Sequence, residues 1–364
     1  MKQQVLFGDN SFEKIKQILT EKGIGSVFVI TGCHFSNDNS YIQNMSVFNS
    51  FRHQVFVKDG VNVTFEEIDR AYGIYNSENV QAIVAIGGGS VMDLAKGVIY
   101  KDSQRGKVSK PYLIAVPTTA GSGSEATCIA VVYENKKKQS LENNLLLPDT
   151  AILDPRLLVS LPPLQTAISG IDAFAQAIES FWSIHATTHS KFLGREALVS
   201  LIEYLPQSIH APTRENRGKV LWASHLAGKA INIARTTGPH ALSYFLTAHH
   251  NIPHGQAVAI FLPLFFIYNS SVHENNCNHP DGPGAVAQSL QELNLILQVK
   301  SSEEAFEYTR TFIQSLGLAI DFNTLGINKS TFDQLVDEVN QQRFKNNPVL
   351  FDREALVHLF REYL

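Results

Sequence analysis

Two apolar segments that each run directly into a glycine-rich turn constrain the fold of this chain most. Residues 82–87 are a short apolar run that enters Gly-Gly-Ser and then a helical pattern. Residues 112–116 repeat this order and lead into Pro-Thr-Thr-Ala-Gly-Ser-Gly-Ser. An earlier run, residues 26–32, is also β-branched and apolar and also ends in glycine. Short apolar strands that alternate with helical stretches predict a doubly wound α/β domain with its ligand at the carboxyl ends of the strands.

The strand pattern fades after about residue 155, and long helix-like segments follow it. These segments cover residues 164–185, 189–209, 214–234 and 285–298. A chain of 364 residues is long enough for two domains of ordinary size. We therefore predict an α/β domain at residues 1–160 and a nearly all-helical domain at residues 161–364.

Charge and composition exclude several classes of partner. A formal net charge of -4, with both signs spread along the sequence, leaves no basic stripe for nucleic acid and no polybasic patch for a membrane. The N-terminus lacks the pattern of a signal peptide, and no segment has the ~20 apolar residues of a membrane span. Only 3 cysteines are present, widely spaced, which does not indicate a disulfide framework. These features predict a cytoplasmic protein whose partners are small molecules.

The glycine-rich turn at residues 87–90 is a candidate phosphate site because it lies between a strand and a helix. Backbone N–H groups there can approach a pyrophosphate, and the helix N-terminus favours its negative charge. A tight turn that requires positive φ is the alternative explanation for a run of glycines. The second turn, residues 118–124, favours the phosphate site, because two such loops then follow neighbouring strands. Neither turn matches the G-x-G-x-x-G fingerprint or the P-loop motif.

A polar pair on an otherwise apolar helical segment indicates a second candidate site. Asp172 and Gln176 are four residues apart, so a helix presents both side chains from one face. His240 and His254 lie in segments rich in Gly and Pro, where the backbone bends. A divalent cation held by Asp172 and these histidines, with an open position, would be a Lewis acid for a carbonyl or an alkoxide oxygen. Alternatively, Asp172 and Gln176 cap or brace a pair of helices.

The joint pattern resembles one family along nearly the whole chain. The motifs that carry the resemblance are residues 87–90 with Asp93, then residues 117–125, 147–149, 170–173, 177–179 and 254–255. Together they resemble the iron-containing (group III) alcohol dehydrogenases, which are related to glycerol dehydrogenases and dehydroquinate synthases. The resemblance implies a dehydroquinate synthase-like fold, with an N-terminal nicotinamide-dinucleotide-binding domain and an all-helical C-terminal domain that binds metal and substrate.

Cofactor roles for residues of the first domain follow from this resemblance. The residues implied to bind the cofactor are Gly87, Gly88, Gly89 and Ser90 at the pyrophosphate, Asp93 in the same motif, Thr118, Thr119 and Ser122 in the second loop, and Lys138 near the ribose. Members that prefer NAD usually have an acidic residue at the end of the first strand, where this chain has Gly32. The absence of a carboxylate there predicts that NADP(H) is accepted, with His34 and Ser36 near it.

For the second domain the resemblance implies a divalent metal, Fe²⁺ or Zn²⁺, bound by Asp172, His240 and His254. The family's second ligand is usually a histidine four residues after the aspartate, and Gln176 occupies that position here. A glutamine carbonyl is a weaker, neutral oxygen ligand, so this departure predicts weaker metal binding, a preference for another metal, or loss of the metal. Tyr244 replaces a histidine often found four residues after the third ligand, and it could relay a proton or hydrogen-bond the substrate.

The segment 230–244 and the glutamine at the second ligand position are most similar to a subgroup that includes phosphonoacetaldehyde reductases and 3-deoxy-octulosonate 8-oxidases, whose substrates are anionic. This similarity agrees with Arg235, beside a Thr-Thr-Gly-Pro turn, as a grip on an anionic substrate group. An exposed or ion-paired arginine is the alternative.

The function that these features predict is a metal-dependent NAD(P)-linked alcohol dehydrogenase or aldehyde reductase. Its substrate would be a small anionic aldehyde such as phosphonoacetaldehyde, or a sugar-acid alcohol, and its assembly a homodimer or larger homo-oligomer. The alternatives are a dehydroquinate synthase-like or glycerol dehydrogenase-like enzyme, and a metal-free nucleotide-binding relative.

Overall fold

The computed structural model describes residues 3–37, 41–77, 79–105, 110–134, 137–322 and 324–363. The chain divides into two compact units. The first comprises Met1–Leu161 and Thr213–His225, and the second comprises Pro162–Pro212 and Leu226–Leu364. Residues 213–225 therefore belong to the same unit as the α/β part of the chain. The helical pattern of this segment does not indicate that it packs there.

A parallel sheet lies at the centre of the first unit. The strands of the described residues are β1 (Gln4–Phe7), β2 (Ser26–Gly32), β3 (Arg52–Lys58), β4 (Ala82–Gly87), β5 (Tyr112–Pro117), β6 (Ile129–Glu134), β7 (Lys137–Glu142) and β8 (Thr150–Leu153). Six of them form the sheet in the order β1-β8-β5-β4-β2-β3, and β6 and β7 form a separate antiparallel pair. The direction of winding reverses between β2 and β4, which confirms the predicted doubly wound α/β fold.

The central strands are buried because their sequences are apolar without alternation. Every residue of β4 is buried, and β2 and β5 each have one terminal residue that is only partly buried. The register pairs Thr31 of β2 with Ile86 of β4, and Gly87 of β4 with Pro117 of β5. The turns that follow β2, β4 and β5 therefore leave the sheet at the same edge.

Helices pack on both faces of this sheet. They are α1 (Lys14–Glu21), α2 (Cys33–Ser36), α3 (Tyr41–Met45), α4 (Phe65–Ser77) and α5 (Gly89–Gln104). One core joins Ile68 of α4 and Leu94 of α5 to Ile83 of β4. The other joins Ile15 of α1 to Val84, the next residue of β4. Successive residues of a strand point to opposite faces, so β4 contributes to both cores, as a doubly wound sheet requires.

The second unit is helical throughout most of its described residues. Its helices are α6 (Pro163–Trp182), α7 (Thr188–His210), the part of α8 (Arg214–Ala234) that begins at Leu226, α9 (Gly238–His250), α10 (His254–Ser270), α11 (Pro283–Leu297), α12 (Ser302–Ser315), α13 (Lys329–Asp337), α14 (Gln341–Phe344) and α15 (Arg353–Tyr363). Every residue of α6 from Gly170 to Trp182 is buried, and so is every residue of α10 from Gly255 to Phe266. These two helices form the interior of the unit. Among the described helices, none has the length and hydropathy needed to cross a membrane.

Glycine allows α6 and α10 to approach each other closely. A Cβ atom on Gly255 would lie 1.9 Å from the backbone oxygen of Ile168 and 3.4 Å from the Cβ of Asp172. Contacts below about 3 Å are not tolerated, and a backbone oxygen cannot rotate away as a side chain can. Gly255 therefore sets the distance at which the start of α10, including His254, meets α6.

Replacing Gly255 by alanine should lower the free energy of unfolding by about 1–3 kcal/mol, the usual cost of forcing extra atoms into a packed interior. Urea-induced unfolding measures the change. Gly284→Ala is the matched control, since this glycine lies in α11 with no atom within 4 Å of an added Cβ. Alanine is the better helix former by about 1 kcal/mol, so the control should not be destabilised. Equal stability of the two variants would contradict the close approach.

Candidate active site

Three side chains of the second unit converge: Asp172 on α6, His240 on α9 and His254 at the start of α10. One ligand atom from each lies within 4.8 Å of the other two. The Nε2 atom of His240 is 3.2 Å from Asp172 Oδ1, and the Nε2 atom of His254 is 3.9 Å from the same oxygen. The structure thus brings together the residues that the sequence predicts as metal ligands, with both rings directed at one carboxylate oxygen.

Local sequence explains why both histidines lie at the start of a helix. Pro239 occupies the first turn of α9, and Pro253 immediately precedes α10. Proline suits these positions because its φ matches a helix and the first N–H groups of a helix have no internal partner. A Cβ on Gly238 would lie 1.9 Å from the ring of Phe265, so glycine is needed where α9 packs on α10.

Burial differs among the three converging side chains. Asp172 is 6% exposed and His240 is 3% exposed, whereas the side chain of His254 keeps 34% of its surface accessible. A buried carboxylate is stable only with polar or charged partners. The cluster is therefore closed around Asp172 and His240 and accessible to solvent at His254.

A second buried carboxylate on the same helix faces the other nitrogen of His240. Glu179 Oε2 is hydrogen-bonded to His240 Nδ1, and Oε1 accepts from the backbone N–H and the hydroxyl of Thr237 at 2.8 and 2.9 Å. Trp182 Nε1 donates to the Thr237 hydroxyl at 2.9 Å. No sequence motif predicts a role for Glu179, Thr237 or Trp182. The seven-residue spacing from Asp172 to Glu179, two helical turns, is the signal that both share a face.

The protonation of His240 follows from these neighbours. Burial alone would lower its pKa, but the carboxylates of Glu179 and Asp172 outweigh this effect and raise the pKa to about 10. An ionised carboxylate can only accept a hydrogen bond, so the Glu179 contact requires the proton on Nδ1. Nε2 and Asp172 Oδ1 then face each other at 3.2 Å, and a proton or a metal ion between them would be stabilised by both.

The donor set fits a transition metal. One carboxylate oxygen and two imidazole nitrogens suit Zn²⁺ and Fe²⁺, and three protein ligands leave a coordination position for a substrate. Gln176, the fourth predicted ligand, is 3% exposed and lies one turn after Asp172 on α6. Tyr244 is 7% exposed, and its ring stacks on that of His254 with centroids 5.9 Å apart.

Arg235 lies between α8 and α9 and is half-buried. Its backbone has φ 67°, in the left-handed region that is uncommon for residues other than glycine. A guanidinium N–H donates to the carbonyl of Asn232 in the last turn of α8. Arg235 therefore caps the end of α8 in this structure, and its role in anion binding stays a prediction.

In the first unit, the two predicted cofactor loops pack against each other. A Cβ on Gly89 would lie 2.5 Å from Ser122 Oγ, and one on Gly88 would lie 3.4 Å from Thr119 Oγ1. A Cβ on Gly87 would clash with the side chain of Val91. None of the three glycines at 87–89 has positive φ. Close approach, and not positive φ, accounts for Gly87 and Gly89. Ser90 follows in the first turn of α5, and Thr118 begins the second loop directly after β5.

A buried lysine that no sequence motif marks, Lys96, fixes the second loop. Lys96 Nζ donates to the carbonyl of Ser124 at 2.6 Å, to its hydroxyl at 2.9 Å and to the carbonyl of Ile129 at 2.7 Å. Asp93 Oδ1 accepts from the Ser124 hydroxyl at 2.7 Å. Burial raises the pKa of Asp93, and the positive charges of Lys96 and Lys138 oppose this rise. Burial lowers the pKa of Lys96 to about 8. Asp93 thus acts on the loop through Ser124.

The end of β2 carries the remaining predicted cofactor residues. Gly32 has extended backbone and directly precedes the short helix α2. His34 is exposed, and Ser36 is partly buried and donates to the carbonyl of Cys33 at 2.9 Å. A Cβ on Gly32 would meet only Val91, at 3.4 Å, so a side chain could be accommodated with a small adjustment.

The doubly wound α/β unit and the helical unit with its Asp-His-His cluster match the two-domain architecture that the resemblance implies. Two family models match this chain: iron-containing alcohol dehydrogenase over residues 2–155, and the C-terminal model of the same family over residues 166–364. The chain therefore belongs to the iron-containing alcohol dehydrogenase family.

Individual relatives agree with this assignment. The chain is 33% identical to phosphonoacetaldehyde reductase of Streptomyces viridochromogenes over 300 residues, which cover 77% of this chain and 75% of that protein. It is 37% identical to 1-propanol dehydrogenase PduQ of Salmonella typhimurium over 195 residues. This match covers 53% of this chain and about half (52%) of the length of that relative. Sulfoacetaldehyde reductase from Bifidobacterium kashiwanohense, solved with NAD⁺, superposes with a TM-score of 0.86 at 27% identity over 99% of this chain and 96% of that one.

Replacing His254 by alanine should weaken Zn²⁺ binding by more than about 100-fold. Removing a direct ligand should cost more affinity than removing the hydrogen-bond partner of a ligand, which costs about 10- to 100-fold. Competition with a chromophoric chelator measures the affinity. His249→Ala is the control, since this histidine is exposed on α9 and faces Glu338 at 3.7 Å. Wild-type affinity in His254→Ala would refute its assignment as a ligand.

Proposed function

We propose that this chain is a metal-assisted, NAD(P)-linked alcohol dehydrogenase or aldehyde reductase. The observation that carries the proposal is the convergence of Asp172, His240 and His254, with both Nε2 atoms directed at one carboxylate oxygen. Fe²⁺ or Zn²⁺ held there would supply a Lewis acid for the substrate oxygen, and NAD(P)H would supply the hydride.

The chain's own residues have separate roles in this proposal. Asp172 contributes the negative charge that holds the cation, and the two imidazoles contribute neutral nitrogen ligands. Gln176 would add an amide oxygen ligand. Tyr244, whose ring stacks on His254, provides a hydroxyl that can hold or relay a proton.

Cofactor binding is assigned to the loops at the carboxyl edge of the sheet. The backbone N–H groups of residues 87–90 lie at the start of α5, where a helix N-terminus favours a pyrophosphate. Hydroxyls from the second loop and the ammonium of Lys138 add hydrogen-bond donors and positive charge. The hydroxyls belong to Thr118, Thr119 and Ser122. Gly32, His34 and Ser36, at the end of β2, would lie at the adenosine ribose.

The proposed substrate is a small aldehyde that carries an anionic group. Two of the relatives are named for phosphonoacetaldehyde and sulfoacetaldehyde, which share a short aldehyde and an anionic end. Arg235, five residues before His240, would bind that end through its guanidinium, whose planar set of donors matches an anionic oxygen pair. A cytoplasmic location and a homodimeric or larger assembly stay predictions.

The deciding experiment is reduction of phosphonoacetaldehyde, sulfoacetaldehyde and propanal with NADPH and NADH, with added Fe²⁺ or Zn²⁺. Turnover that oxidises the cofactor supports the proposal. A dehydroquinate synthase-like enzyme would give no net change in nicotinamide absorbance, and a glycerol dehydrogenase-like enzyme would instead oxidise glycerol. A metal-free nucleotide-binding relative would contain no metal by elemental analysis and reduce none of these aldehydes.

NADPH should support reduction at least as well as NADH, because no carboxylate at Gly32 repels the 2′-phosphate. Gly32→Asp should shift the ratio of kcat/KM toward NADH by about 10- to 100-fold, the usual worth of a hydrogen bond to a charged group. Gly32→Asn is the control of equal size without charge, and it should shift the ratio much less. Strong preference of the wild type for NADH would contradict this prediction.

Arg235→Gln should raise KM for an anionic aldehyde by about 10- to 100-fold through loss of a charge-assisted hydrogen bond. KM for propanal should change little, so the comparison within one variant separates anion binding from a structural effect. Both residues have a Cβ, so the cost of positive φ is unchanged. Equal effects on the two substrates would indicate that Arg235 only caps α8.

A further inference from the structure

Glu179 is fully buried, and its two oxygens have fixed and different partners. The indole N–H of Trp182 can only donate, so the Thr237 hydroxyl accepts from it and donates in turn to Glu179 Oε1. The backbone N–H of Thr237 donates to the same oxygen. Oε1 is therefore committed to two donors, and Oε2 is left for His240 Nδ1.

We propose that Glu179 is a positioning residue that holds the proton of His240 on Nδ1, so that Nε2 presents its lone pair to a cation shared with Asp172 and His254. The inference rests on the proposed metal site, and it adds the group that selects the ring nitrogen. A histidine that donates its second N–H to a carboxylate is fixed in tautomer and orientation and is a more basic ligand. Thr237 and Trp182 hold Glu179 in the position that this task requires.

Glu179→Gln tests the proposal because the network determines how an amide would orient. The backbone N–H of Thr237 cannot change into an acceptor, so the amide oxygen must stay at the Oε1 position. The amide NH₂ group then faces His240 Nδ1, which can no longer donate there. The proton of a neutral ring moves to Nε2, where it points at Asp172 and competes with a metal ion.

Zn²⁺ affinity in Glu179→Gln should fall by about 10- to 100-fold, measured by competition with a chromophoric chelator. Glu125→Gln is the matched control, since Glu125 is another buried carboxylate, 3.2 Å from Nδ1 of the buried His225, in the first unit. The control should keep wild-type Zn²⁺ affinity. Wild-type affinity in Glu179→Gln would overturn the proposal.

A second readout does not depend on bound metal. In ¹⁵N-histidine-labelled, metal-free wild type, the Nδ1 proton of His240 should appear as a downfield, slowly exchanging resonance, and it should disappear in Glu179→Gln. Absence of this resonance from the wild type overturns the inference. If the wild type binds no Zn²⁺ or Fe²⁺, the proposed function fails, and the resonance alone then decides the role of Glu179.

Thr237→Val provides a milder variant in case Glu179→Gln does not fold. Valine keeps the shape and the backbone N–H of residue 237 but removes the hydroxyl that links Trp182 to Glu179. Zn²⁺ affinity should fall in the same direction by a smaller factor. An unchanged affinity, with Glu179→Gln unfolded, would count against the proposal.

Discussion

The contact between one imidazole ring and two buried carboxylates is the interaction on which the second unit depends. Asp172 and Glu179 lie on the same face of α6, and each faces a different nitrogen of His240. Removing an ionised carboxylate from water costs several kcal/mol even after relaxation of the protein. Two such groups on the buried segment of α6 need compensation, and His240 is placed to provide it for both. The candidate site is therefore also part of what holds α6 and α9 together.

Close backbone approach supports this arrangement in both units. In the second unit, Gly238 and Gly255 let α9 and α10 pack without the space that a Cβ would require. In the first unit, Gly89 does the same where the first loop packs on Ser122 of the second loop, which Lys96 of α5 holds through Ser124. Each glycine lies beside a predicted ligand or cofactor residue. Glycine at these positions thus reflects the packing needed to bring functional groups into range.

The sequence predicts the parts of the structure that local patterns encode. Continuous apolar runs identify β2, β4 and β5, and helical spacing identifies α6. Edge strand β3 is only partly buried and contains Arg52, His53 and Lys58, so it lacks such a run. The return of residues 213–225 to the first unit also leaves no local signal, because it is decided by packing between segments far apart in sequence.

The candidate site follows the same division. Asp172, His240 and His254 are predictable because Gly and Pro around the histidines mark bends in the backbone. The partners of Glu179 and Lys96 cannot be predicted from the sequence. A buried charged residue in an apolar helix can be assigned a role only when the groups opposite it are known. Positive φ, the alternative explanation for the glycines at 87–89, is excluded by backbone geometry that their sequence does not determine.

Gln176 bears on metal affinity differently once Glu179 is considered. A glutamine and a neutral histidine both carry no charge, so Gln176 leaves the net charge of the ligand set as it would be with histidine. What it changes is donor strength, because an amide oxygen binds Fe²⁺ or Zn²⁺ more weakly than an imidazole nitrogen. A carboxylate on Nδ1 raises the basicity of His240 and acts in the opposite direction. In the proposed metal site, Gln176 and Glu179, two side chains three residues apart on α6, would therefore act on affinity in opposite directions.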